Sequence, residues 1–440
     1  VIIVIGANPT ENHPVAATFF KQAAKNGAQL IVMDPRGQAL RKQATHMLQF
    51  KPGSDVAMLN ALLNVIITED LYDRQYVESQ TEGFEQLKAH IVDFTPEAMS
   101  EICGIDAETL RTVARTYARA ESAIIFWGMG ISQHIHGTDN ARCLIALSLI
   151  TGQVGRPGTG LHPLRGPNRG LTVVEIMDAI HNDEIKGMYI MGENPAMSDP
   201  DADHARAALA KLECLVVQDL FLTETAFHAD VILPASAWPE KDGTVTNTNR
   251  QVQMGRRALD LPGDARADWW IVQEVARHIG LDWNYSHPSE VFAEMKLVMG
   301  SLDNITWDRL EQESAVTYPV DGPDIPGNEI VFGDGFPTES GRGKLVPASI
   351  IPPAEVPDDE FPMVLTTGRQ LEHWHTGAMT RRSQVLDSLE PEAVAQISSR
   401  DLFRLGLKAG DMIRVETRRG AIELKARVDG AIPEGLIFIP

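Results

Sequence analysis

A chain of 440 residues has room for about three domains and can bury several cores without disulfides or metals as staples. A formal net charge of −21 and the lack of a Lys/Arg-dense stripe exclude nucleic acid as a partner, and no apolar run approaches the roughly 18 residues of a membrane-spanning helix. Cys103, Cys143 and Cys214 lie far apart, without the paired spacing of a disulfide framework, a zinc site or an iron–sulfur cluster, so reduced and mostly buried thiols are expected.

The chain opens at Val1 in the apolar run VIIVI, which predicts a strand buried on both faces and ending at Gly6. Apolar residues at helical spacing follow from Pro14 to Ala24. Asn26-Gly27 ends that helix, and AQLIVMD predicts a second strand finishing at Asp34, which completes a βαβ unit. Further on, a strand over 123–127 meets Gly128-Met129-Gly130. A helix over 138–150 comes next, then a glycine-rich loop ending at Arg165. His134 and His136, two positions apart, make half a metal site with no acid or cysteine at ligand spacing. They are read as part of a polar loop, and no metal-ligating residue is assigned.

The opening order returns at Met188. YIM leads into Gly192-Glu193-Asn194-Pro195, ARAALAKL predicts a helix, and ECLVVQD ends at Asp219. Gly6 to Asp34 is 28 positions and Gly192 to Asp219 is 27, with G-x-N-P at both starts and Asp at both ends, which points to a duplication. In an open parallel sheet the ligand sits beyond the carboxyl ends of the strands. Glycine there lets backbone approach a phosphate, and an acid ending the second strand can accept hydrogen bonds from a nucleotide. Neither copy has the full G-x-G-x-x-G, so a plain nicotinamide site is disfavoured.

Residues 301–360 are rich in Pro and Gly with little periodicity, as in a connecting stretch on the surface, and 361–440 alternate short β runs with turns, as in a small barrel. The expected fold class is α/β, with two related Rossmann-like parallel-sheet units and a C-terminal β-barrel. The expected divisions are 1–165, 166–300, the connector 301–360 and the barrel 361–440. Both ends fall directly beside β runs, with no frayed polar tail, so the chain is expected to be a fragment with an incomplete barrel. A cytoplasmic location is expected.

With G-x-N-P, D-P-R, K-P-G-S-D, W-G-M-G, a glycine-rich loop ending L-R-G, M-G-E-N-P, V-Q-D, D-V-I-L-P, A-D-W and T-T-G-R in this order, the chain resembles molybdopterin-dependent oxidoreductases of the dimethyl sulfoxide reductase type. Among these it is most similar to catalytic (alpha) subunits of formate dehydrogenase. The resemblance implies a double-psi-like barrel and two molybdopterin guanine dinucleotides around one molybdenum or tungsten. It places Gly6, Asn8, Asp34, Arg36, Gly53 and Asp55 around one dinucleotide, and Gly192, Asn194, Gln218, Asp219 and Asp268 around the other. Arg369, His373 and Thr380 would belong to a barrel segment closing over the pterins, and Gly128 and Gly130 are counted with the cofactor-binding positions.

The resemblance also makes Arg165 the residue that holds a formate carboxylate, for which a planar guanidinium fork is suited. The family's R-G-Q-N-N is altered here to Arg165-Gly166-Pro167-Asn168-Arg169, and its long following segment is absent. A 4Fe–4S cluster and a metal-ligating Cys or selenocysteine are expected only upstream of Val1, so this chain alone is expected to be inactive. Formate is the implied substrate, and electron-transfer subunits with iron–sulfur centres, flavin and NAD are the implied partners. Two other readings remain open: a nitrate-reductase-type enzyme on the same scaffold, and a non-catalytic respiratory-complex subunit that keeps the fold.

Overall fold

The computed structural model describes residues 1–163, 171–353 and 355–440. The chain forms two compact units, one of Val1–Gly166, Ile330–Leu371 and Glu392–Pro440, the other of Pro167–Glu329 and Glu372–Pro391.

In the first unit VIIVI becomes the strand Ile2–Ile5 at the centre of a parallel sheet. Leu30–Met33 and Ile124–Trp127 flank it, with His46–Leu48 and Gly160–Pro163 outermost. Ile3, Ile5, Ile31 and Met33 pack into one core, while Val4, Leu30 and Val32 pack with Phe20 and Leu40 in another. A strand with an apolar core on each face needs a continuous apolar run, which is why no alternation is seen in its sequence. The larger core is built on the helix Asp55–Thr68, whose residues 55–67 are all buried, packed among the helices Pro96–Cys103, Ala107–Ala118 and Gly137–Ile150. A helix this apolar is placed in the interior, where its buried Asn60 and Asn64 donate to Ala348 O and Ile91 O.

The C-terminal stretch of this unit is a mixed five-stranded sheet curled into a half-barrel. Its order is Val364–Thr367, Leu436–Ile439, Val394–Ile397, Gly420–Val428 and Met412–Thr417. Its Ala431 loop is tied to the loops of the parallel sheet: Ala431 O accepts from Gly37 N at 2.9 Å and from the side-chain Nε2 of Gln49 at 3.2 Å.

The second unit repeats the βαβ arrangement with parallel strands Gly187–Met191, Cys214–Asp219 and Val231–Pro234. Its core includes Met177, Ile180, Ile190, Leu209, Leu215 and Val217. An antiparallel sheet of Gly243–Thr246, Gln251–Gly255 and Ala315–Thr317 follows. The stretch 301–360 is not uniformly irregular. Leu310 in the helix Trp307–Glu313 and Val316 in the strand after it are buried with Val252 and Phe292, a packing that short elements gain only from their neighbours. Of the thiols, Cys103 and Cys143 are buried and Cys214 is exposed. Among the described residues no helix is long and apolar enough to cross a membrane.

Candidate functional site

Strand order in the first unit runs outward from Ile2–Ile5 through Leu30–Met33 to His46–Leu48, then resumes on the other side at Ile124–Trp127. The order reverses between the carboxyl ends of Ile2–Ile5 and Ile124–Trp127, the place where doubly wound sheets bind their ligands. Gly6 and Gly128 stand at those two ends. Gly6 has φ +54°, and a Cβ there would lie 2.8 Å from Gly130 C and Ile131 N. A Cβ on Gly128 or Gly130 would come within 2.8 or 2.7 Å of Gly6 O, to which Gly130 N donates at 3.0 Å. These three glycines are thus required by the approach of two loops to each other.

Around them the polar groups gather. Asp34 is buried; its Oδ1 accepts from Arg36 N at 2.8 Å and its Oδ2 from Gln38 Nε2 at 3.2 Å. Gln38 Nε2 also donates to Ala7 O at 2.7 Å, which joins the loops after the first two strands. Burial pushes the Asp34 carboxyl up to about 6, outweighing the Arg36 charge and both hydrogen bonds. Burial raises Glu11 as well, against the pull of Arg36 and a hydrogen bond with Asn8, and Glu11 Oε2 is buried with no hydrogen-bond partner. His13 is lowered by burial and by the charge of Arg369, whose own value burial also lowers. The Arg36 guanidinium lies 3.7 Å from the centroid of the Phe438 ring, a cation–π contact that carries the half-barrel to this region. Gly53, at φ +79°, has nothing within 4 Å of where a Cβ would be. Asp55 points inward and is 2% exposed.

The second unit repeats the glycine-turn hydrogen bond of the first. Gly192 has φ +64° and donates from N to Gln218 O at 2.9 Å, as Gly6 N does to Met33 O at 3.1 Å; each acceptor immediately precedes the terminal Asp. Asn8 and Asn194 both cap short helices, Pro9–Asn12 and Pro195–Ser198. Asn194 Oδ1 accepts from Thr225 N and Oγ1, at 3.1 and 2.8 Å, and its Nδ2 donates to Glu224 at 2.9 Å. Gln218, fully buried, accepts from Tyr189 OH and donates to Asp268 Oδ1 at 2.7 Å. Lys241 pairs with the other Asp268 oxygen. Asp219 Oδ1 takes Leu220 N and Phe221 N, at 2.6 and 3.3 Å. Unlike Gly6, Gly192 faces open space, with nothing within 4 Å of a Cβ position.

The structure therefore gathers Gly6, Asn8, Asp34, Arg36 and Arg369 in one unit, and Gly192, Asn194, Gln218, Asp219 and Asp268 in the other. His373 and Thr380 meet each other: His373 Nδ1 is 3.2 Å from Thr380 Oγ1 and its Nε2 2.8 Å from Glu390 O. Arg165 lies outside the described residues. Glu11, His13, Gln38, Tyr189 and Lys241 were not singled out in the sequence. His136 was read as part of a polar loop; it ends that loop at the N-cap position of the helix Gly137–Ile150 and is itself only 3% exposed.

The family model described as Molybdopterin oxidoreductase matches residues 1–278, and that of the Molydopterin dinucleotide binding domain matches 363–440. The chain belongs to the molybdopterin oxidoreductase family. Over its whole length it is 40% identical to the alpha subunit of F420-dependent formate dehydrogenase from Methanocaldococcus jannaschii, covering 71% of that protein. It is 32% identical to formate dehydrogenase H from Escherichia coli, covering 68%. The first alignment runs over 480 residues for a chain of 440, so that relative carries stretches this one lacks. Acetylene hydratase from Pelobacter acetylenicus has a similar fold, with a TM-score of 0.85 at 23% identity over all of this chain and 70% of that one.

A molybdopterin oxidoreductase of this kind carries a molybdenum–molybdopterin cofactor, and the residues present suit one. Asp34 and Asp219 are acceptor groups at matching strand ends, able to take the N1–H and amino group of a guanine edge. The open faces of Gly53 and Gly192 leave room for a ligand to lie against backbone.

Proposed function

We propose that this chain is the cofactor-holding part of a formate dehydrogenase, in which each of the two βαβ units grips one molybdopterin guanine dinucleotide. The observation that supports it most is the internal repeat: two G-x-N-P turns with positive φ at glycine, each bonded to the residue before a strand-ending Asp. When bound, the metal–pterin group, with molybdenum or tungsten, supplies the redox chemistry that removes two electrons from formate to leave CO2 and a proton.

The protein's own groups do the holding. Asp34 and Asp219 accept from guanine, and Asp268, oriented by Gln218 and Lys241, supports the second site. Asp55, whose carboxylate is turned inward, offers a ligand beyond Gly53 only its backbone N–H at a helix N-terminus. Asp34 accepts two hydrogen bonds only as the carboxylate, so below about pH 6 loading the first site requires release of the proton that burial favours. Arg369, His373 and Thr380 belong to the segment that closes over the pterins, and Arg165 orients the carboxylate of formate.

None of the three cysteines suits the metal. Cys103 and Cys143 are buried in the large core, and Cys214 begins the strand that Asp219 ends, at the far end from the ligand. On this reading the metal-ligating Cys or selenocysteine and a 4Fe–4S cluster come from polypeptide outside these 440 residues, and electrons pass on to iron–sulfur and flavin subunits linked to NAD. The test is the full-length enzyme assayed with formate and with nitrate, beside Arg165→Ala. Formate turnover that collapses in the variant is expected. Wild-type formate turnover in Arg165→Ala, or activity on nitrate alone, refutes the reading.

A further inference from the structure

Two long helices of the first unit, Asp55–Thr68 and Gly137–Ile150, carry buried polar side chains at their first turns. Asp55 is 2% exposed, His136 3% and Asn140 0%. His136 Nε2 lies 4.0 Å from Asp55 Oδ2, too far for a hydrogen bond. Asn140, one turn beyond His136 on the same face, spends its amide N–H on Ile131 O at 2.9 Å. Asp55 Oδ2, Asn140 Oδ1 and both ring nitrogens of His136 are left buried with no hydrogen-bond partner. Protein interiors rarely leave one such atom bare, and a group of them marks a place for something that satisfies them together.

The atoms specify what that is. Two are acceptors, a carboxylate and an amide oxygen, and they share the site with a ring nitrogen that donates in its Nε2–H tautomer. The positive ends of two helices oppose a cation, and the Asp55 carboxylate opposes an anion. Water donates twice and accepts once, which matches Asp55 Oδ2, Asn140 Oδ1 and His136 Nε2–H and leaves only His136 Nδ1 outside the arrangement. We propose that Asp55, His136 and Asn140 form an internal water site, with His136 Nε2–H donating to the water and the water donating to Asp55 Oδ2 and Asn140 Oδ1.

The site has structural consequences for the strand ends. The loop ending at His136 begins at Gly128 and Gly130, which pack on Gly6. His134 stacks on His136 with ring centroids 5.2 Å apart and bonds through Nε2 to Gly130 O at 2.6 Å. The water therefore fastens the far end of this loop to the first turn of the central buried helix, independently of which substrate the enzyme takes.

A high-resolution crystal structure of the full protein tests this directly. One ordered water within hydrogen-bond distance of Asp55 Oδ2, His136 Nε2 and Asn140 Oδ1 is expected; no density there, or an ion at metal-ligand distances, overturns the proposal. His136→Gln retains a donor and is expected to keep the water and near wild-type hydrogen exchange at the first turn of Gly137–Ile150. His136→Leu removes the donor, and exchange there should rise on the order of tenfold. Equal exchange in the two variants also overturns it, and should His136→Leu fail to fold, the wild-type density decides.

Discussion

Replacing Gly6 and Gly192 by alanine, one at a time, separates two costs that their matched sequence positions hide. Both have positive φ, +54° and +64°, so each alanine incurs the left-handed penalty of roughly 1–2 kcal/mol. At Gly6 the new methyl also lands 2.8 Å from two backbone atoms of the Gly130–Ile131 segment, which cannot rotate away as a side chain would. Overpacking of that kind costs about 1–3 kcal/mol more. Gly6→Ala should therefore lose about 2–5 kcal/mol, and Gly192→Ala, facing open space, only the first 1–2. At roughly 2–4 °C per kcal/mol, this is a fall in Tm on the order of 10 °C against about 5 °C. Hydrogen exchange followed peptide by peptide lets the two units report separately. Gly192→Ala should show its larger effect in bound guanine nucleotide, because its open face is where a ligand would lie. Equal destabilisation by both variants, or a greater one at Gly192, would refute the reasoning.

The Asp34 carboxyl, raised from 3.8 to about 6 by burial, makes the cofactor-free first unit lose stability as pH rises. The folded state binds the proton more tightly than the unfolded one, so this contribution is full below about pH 4 and is lost through about pH 6. It amounts to about 3 kcal/mol at 1.36 per pH unit. Asp34→Asn should flatten that slope in denaturant titrations of cofactor-free protein, and an unchanged slope would mean the group is not what titrates. A thiol reagent should label one cysteine of the folded 440-residue chain, Cys214, and all three after denaturation; rapid labelling of Cys103 or Cys143 would contradict their burial.

The elements that packing alone determines were the legible ones. VIIVI and LIVM sit between two cores, so their unbroken apolar character states their environment, and the duplicated turns carry glycine where positive φ demands it. The stretch 301–360 was harder. Leu310 and Val316 are buried only because Val252 and Phe292 wait for them elsewhere in the chain, and no local pattern announces that. The same holds for the half-barrel, whose attachment runs through Ala431 to Gln49, 382 positions earlier.

At the site the division follows the same line. Asn8, Asp34, Asn194 and Asp219 were readable because each occupies a fixed offset from a glycine turn at a strand end. Gln38 and Lys241 were not, because each serves another residue across the fold: Gln38 spans two loops and Lys241 holds Asp268 from 27 positions away. His136 misled for a subtler reason. S-Q-H-I-H is polar in composition and its Gln133, His134 and Ile135 are exposed, yet His136, at the helix start, is turned inward. A polar residue next to a strongly apolar helix is thus better read as a buried group in need of a partner than as part of a solvent loop. Asp55, at the start of a helix whose residues 55–67 are all buried, meets the same condition. Polar residues at the starts of two such helices could have been paired from sequence, once both helices were known to share one core.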